Sequence, residues 1–165
     1  MYMKNMLRHI RENKKTYLIS VAIPLAVGGL SALVTRQGMK HYNASVVQPP
    51  LSPPQWLFPV VWTALYTLMG IGSGRVYLEP QSRARSASLN LYAAQLIVNF
   101  FWSLIFFNAG AYGLAAIWLV LLLILAALMA WYFGKAEKWA GLLQIPYLLW
   151  LSFALYLNLG VWARN

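Results

Sequence analysis

Four stretches of this chain run 20 residues or more without Asp, Glu, Lys or Arg: residues 16–35, 41–74, 86–134 and 139–163. A helix rises about 1.5 Å per residue, so about 20 apolar residues cross the roughly 30 Å of a bilayer's hydrocarbon. The apolar part of the second run begins near Pro53, and the third is long enough to cross twice. Residues 108–113, with an Asn and two Gly, supply the turn between those crossings. The pattern predicts an all-α membrane protein. It is a five-transmembrane-helix bundle forming one domain over 1–165, with spans at about 16–35, 53–77, 87–108, 112–133 and 139–162.

Composition agrees. Of 165 residues, 61% are hydrophobic and only 10% charged, whereas a soluble domain carries about 25% charge. The net charge of +10 does not point to nucleic acid. The basic residues sit in short patches between uncharged runs, the pattern that sets membrane topology. Lys4, Arg8, Arg11, Lys14 and Lys15 precede the first span. That span is longer than a signal-peptide core and no A-x-A site follows, so it reads as a retained helix. Arg75, Arg83, Arg85, Lys135 and Lys138 fall on the same side as the basic tail, and Arg36, Lys40 and Arg164 on the other. The expectation is a bacterial cytoplasmic membrane with a cytoplasmic N-terminus.

The one long connection, about 36–52, lies on the outer side and reads as a lid or a stiff connector. Ser52 is the expected N-cap of the second span and Pro53 its first residue.

Much chemistry is excluded. There is no Cys and no Asp, and the acids are Glu12, Glu79 and Glu137. None falls inside a span, where buried carboxylates would mark proton or ion pathways. His9 and His41 lie outside the spans and form no ligand cluster. No metal, cofactor or conventional catalytic group is expected.

The spans carry aromatic and amide groups instead. Phe58, Trp62 and Tyr66 recur every four residues and share a face of the second span. Gln95, Asn99, Trp102 and Ser103 do so on the third. Tyr147, Trp150, Ala154 and Leu157 do so on the fifth, with Asn158 beside them. Amides are costly in lipid, so Gln95 and Asn99 should face the bundle interior, as interhelical glue or as part of a pocket. Trp118, Trp131, Trp139 and Trp162 fit an interfacial belt. Pro24, Pro59 and Pro146 read as interior prolines that kink their helices. Gly70-x-x-x-Gly74 permits close helix approach, within the bundle or in a dimer.

The stretch PPLSPPQWLFPVVWTALY, residues 49–66, resembles the signature of the TspO/MBR family. QLIVNFFWSLIFF (95–107) and PYLLWLSFALYLN (146–158) are similar to that family's third and fifth helices. The resemblance implies a five-helix bundle, usually a homodimer in membrane lipid, that binds porphyrins and other hydrophobic small molecules. It places ligand contacts at Trp62, Asn99, Trp150 and Ala154, with Gln95 and Leu157 as weaker carry-overs; Phe58 and Tyr147 join them from the shared faces. Leu51 stands where the family motif has Trp, and no role is carried onto it. Tyr156 and Arg164 are too far apart for the sterol-recognition pattern of animal members. Two further readings stay open. One is light-dependent porphyrin degradation, with Trp62 and Trp150 as redox partners. The other is passive translocation of hydrophobic small molecules.

Overall fold

A computed structural model describes residues 12–165. The basic residues Lys4, Arg8 and Arg11, and His9, lie outside the described residues. Among the described residues seven α-helices follow in order: α1 (Lys14–Val34), α2 (Arg36–Ser45), α3 (Leu57–Leu78), α4 (Arg83–Ser103), α5 (Tyr112–Ala136), α6 (Lys138–Leu142) and α7 (Ile145–Trp162). A π-helical turn, Leu104–Asn108, continues α4. Five units are long and apolar enough to cross a membrane: α1, α3, α4 with its π turn, α5, and α6 with α7. Leu18, Leu33, Ile117 and Leu149 each expose about two thirds or more of their surface. Apolar side chains turned outward on every side have one favourable solvent, which is lipid. The chain is an integral membrane protein.

Around the bundle, α1 packs between α3 and α4, α4 against α5, and α5 against α7. The circle closes between α7 and α3, which touch least. Lipid tails are as apolar as Leu, so close backbone approach must hold such helices together. The α1–α3 seam does this with glycine. A Cβ on Gly70 would stand 2.5 Å from the Cα of Val21 and 2.7 Å from the Ser20 carbonyl. One on Gly74 would meet Tyr17 and Ser20, and one on Gly28 would overlap the Tyr66 ring. The Gly70-x-x-x-Gly74 motif is therefore consumed inside the bundle.

The structure corrects several expectations. Residues 36–45 are helical, so the connection read as 36–52 is α2 followed by an extended segment, 46–56. Ser52 caps nothing: its hydroxyl donates to the Pro49 carbonyl at 2.8 Å, and the helix begins four residues beyond Pro53, at Leu57. Pro59 thus lies in the first turn of α3, where a missing N–H is no loss. Pro146 is the second residue of α7. Instead of kinking a continuous helix, it accompanies a break at Leu143 and Gln144. Only Pro24 is interior, in α1. Trp131, Trp139 and Trp162 are exposed, in keeping with a belt. Trp118 is not a belt residue: its indole N–H donates to the Val98 carbonyl on α4 at 2.8 Å.

Arg75, at the end of α3, binds Glu137 between α5 and α6; its Nε lies 2.6 Å from Oε2. Glu137 also accepts the N–H groups of Trp139 and Ala140, capping α6. Burial disfavours its charge, but the guanidinium and these two donors outweigh burial and hold the carboxyl below its usual range.

Candidate functional site

The three polar and aromatic faces converge where α3, α4 and α7 meet. From α4, Gln95 and Asn99 point inward and are fully buried. Both end on one hydroxyl. Tyr147 donates to Gln95 Oε1 at 2.8 Å and accepts from Asn99 Nδ2 at 3.0 Å. Gln95 Nε2 approaches the Met69 sulfur of α3 at 3.0 Å. The amides are satisfied from two neighbouring helices, as burial in an apolar bundle demands.

Rings span the loosest joint of the circle. Phe58 meets Trp150 edge-on at 5.9 Å between centroids, and Trp62 meets Tyr147 at 6.3 Å. Trp62 also lies 5.3 Å from Tyr66. Thus α3 and α7 are joined through side chains rather than through backbone approach. Ala154, one turn beyond Trp150, is half-buried against the same core; Leu157 is buried towards the loop end of α7. Trp150 Nε1 is buried and has no acceptor among the described residues. An unanswered N–H costs about 1–3 kcal/mol in such a place. The polar face predicted from sequence is therefore assembled, but its own side chains fill it.

A second aromatic group sits above, on the loop side. Trp102 stacks on Phe106 at 5.4 Å, and Phe106 meets Tyr42 of α2 at 5.4 Å and Tyr112 of α5 at 5.1 Å. Trp102 Nε1 donates to Asn158 Oδ1 at 3.3 Å, and Asn158 Nδ2 to the Tyr112 carbonyl at 2.8 Å. Burial against these rings pushes the Tyr42 hydroxyl up to about 12, and neighbouring Tyr112 adds to the effect. The π turn makes this docking fit: Gly38 sits so close to the Phe107 carbonyl that any Cβ would overlap it. Segment 46–56 then closes over the end of α7. Tyr156 donates to the Pro50 carbonyl at 3.0 Å, and Asn165 pairs with both backbone groups of Val47 at 3.0 Å. Pro49 is buried against Gly160. A β-turn, Ser52 N–H to Pro49 carbonyl, places Leu51 at φ 66°.

Sequence reasoning missed Tyr42, because 36–52 read as a connection. The helical spacing of Met39, Tyr42 and Val46 was the available signal. It also missed Met69, which has no polar signature.

Fold and interior together define the class: an integral membrane protein whose five-span bundle encloses an amide- and aromatic-lined interior under a docked loop. The TspO/MBR family model matches residues 20–163. The chain is similar to tryptophan-rich protein TspO of Chlorobaculum tepidum, with 33% identity over 91% of this chain and 96% of that one. It is 36% identical to the tryptophan-rich sensory protein of Cereibacter sphaeroides, over 91% and 89% of the two chains. With the human translocator protein it shares 38% identity over 82% of this chain and 80% of the other. The chain belongs to the TspO/MBR family.

Proposed function

We propose that this protein binds porphyrins and related flat, hydrophobic molecules between α3, α4 and α7, beneath segment 46–56. The observation that carries the reading is the seam of rings with an unanswered donor: Phe58, Trp62, Tyr147 and Trp150, with Trp150 Nε1 lacking an acceptor. A macrocycle entering there replaces ring–ring contacts with stacking on Trp62 and Trp150. Its carboxylate or carbonyl edge answers the indole N–H. Gln95 and Asn99 add direction once they exchange Tyr147 for the ligand; Ala154 leaves room, and Leu157 adds apolar wall. Entry requires α3 and α7, which touch least in the circle, to part, or segment 46–56 to lift from Tyr156, Gly160 and Asn165. Such a pocket, mostly apolar with a few placed polar groups, is the usual form of a small-molecule site.

Among described residues, seven Lys and Arg lie on the side where α1 begins (Lys14, Lys15, Arg75, Arg83, Arg85, Lys135, Lys138) and three on the loop side (Arg36, Lys40, Arg164). This asymmetry supports a cytoplasmic N-terminus and an outward-facing entrance. We propose a homodimer in a bacterial cytoplasmic membrane, with a contact other than the glycine seam, which the α1–α3 pair already occupies.

Titrating protoporphyrin IX into purified protein tests the reading by tryptophan quenching. Saturable binding that weakens at least tenfold in Trp62→Phe, Trp150→Phe is expected. Unchanged affinity in the double variant would exclude stacking at this seam.

A further inference from the structure

A hollow of about 370 Å³ lies at the elbow between α5 and α6, far from the amide site. Trp131, Gly134, Lys135, Lys138, Gly141 and Leu142 line it. It exists because two glycines meet: a Cβ on Gly141 would stand 2.7 Å from the Cα of Gly134, so the helices touch and nothing covers their junction. Lys135 Nζ is held 3.5 Å from the centre of the Trp131 ring, which fixes an ammonium at one wall. Lys138 supplies a second, exposed cation. The only acid beside them, Glu137, is engaged by Arg75 and by the N–H groups of α6. Neither lysine is paired with a carboxylate among the described residues. Exposed Trp131 and Trp139 mark this level as the membrane–water boundary.

We propose that this hollow binds an anionic phospholipid, with the phosphate between Lys135 and Lys138 and an acyl chain against Leu142 and the Trp131 ring. Charge selects the occupant. Two uncompensated cations over an apolar notch match a headgroup with net negative charge joined to a hydrocarbon tail, and a zwitterionic lipid returns one positive charge to the site.

Native mass spectrometry of the full-length protein, with phosphatidylglycerol or phosphatidylcholine added to the micelles, reads the binding directly. Phosphatidylglycerol should bind more tightly, and its affinity should fall about fivefold for each of Lys135→Gln and Lys138→Gln. Gly134→Leu fills the hollow while keeping both charges, since a Cβ there meets only Gly141 at 3.9 Å. It should lose the lipid while keeping its thermal unfolding midpoint. Lys15→Gln, Arg83→Gln removes two exposed charges from the same side of the bundle and should change nothing. Equal binding of the two lipids overturns the proposal. So does retention in Gly134→Leu, or an equal loss in the Lys15, Arg83 variant, which would make the attraction diffuse. Binding of inorganic phosphate alone with the affinity of the lipid would also overturn it.

Discussion

Replacing Tyr147 by Phe removes one oxygen and keeps the ring. The hydroxyl it removes is the shared partner of Asn99 Nδ2 at 3.0 Å and of Gln95 Oε1 at 2.8 Å. Both amides are fully buried, so neither can turn to water. Interhelical hydrogen bonds in membrane proteins are worth about 0.6 kcal/mol each on average, and two give about 1.2 kcal/mol. If the orphaned groups find no substitute, each also carries a desolvation penalty of about 1–3 kcal/mol. Gln95 keeps its contact to Met69 through the other end of the amide, which limits the second cost to one acceptor and one donor. The expected loss is therefore about 1 kcal/mol if the freed groups find other partners and about 3–7 kcal/mol if neither does. Reversible unfolding from mild detergent into dodecyl sulfate measures it. The ring contact between positions 62 and 147 is retained, so packing does not confound the value. A loss below about 0.3 kcal/mol would mean the hydroxyl does not bridge the amides, and the assembled interior described above would be wrong.

The glycine seam predicts a contrast within one helix pair. Gly70→Ala forces α1 and α3 apart by about 1 Å to reach ordinary contact distance and should cost about 1–3 kcal/mol. Gly29→Ala, where a Cβ meets nothing within 4 Å, should be neutral or slightly stabilising by the same unfolding assay. Glu137 predicts an acid limb. Its folded-state pKa lies below the usual 4.5, so its contribution is present above that value and is lost as pH falls through the folded value. Glu137→Gln should lower stability at pH 7 by about 1.5–3 kcal/mol and flatten the fall in unfolding free energy between pH 5 and pH 3, read by the same assay in buffers of each pH.

Much of this architecture is legible in the chain because bilayer physics leaves few choices. Four uncharged runs separated by charge mark three spans directly, and the length of the third run with its Asn/Gly turn at 108–113 marks the other two. Helical spacing correctly grouped Phe58, Trp62 and Tyr66, and likewise Gln95 with Asn99, since i and i+4 share a face in any helix. What spacing could not show is who meets whom. Gln95 and Tyr147 are 52 residues apart, and nothing local announces that one hydroxyl serves two amides. Pro59 and Pro146 look interior in sequence because the apolar runs begin before the helices do, at Leu57 and Ile145. Polar α2 looks like a connection in sequence because Arg36–Ser45 lacks the hydrophobicity of a span, although Tyr42 anchors it on Phe106 and Phe107. The use of Gly70 and Gly74 inside the bundle was undecidable from sequence, since close approach serves a neighbour within the chain or beyond it equally well.

The position of bound protoporphyrin IX in an experimentally determined structure of the complex tests the central proposal most directly. The macrocycle should lie between α3 and α7, stacked on Trp62 or Trp150. An oxygen of the ligand should stand within about 3.2 Å of Trp150 Nε1, with Tyr147 displaced from Asn99. A macrocycle lying on the outer, lipid-facing surface, with the Phe58–Trp150 and Trp62–Tyr147 contacts intact, would contradict it.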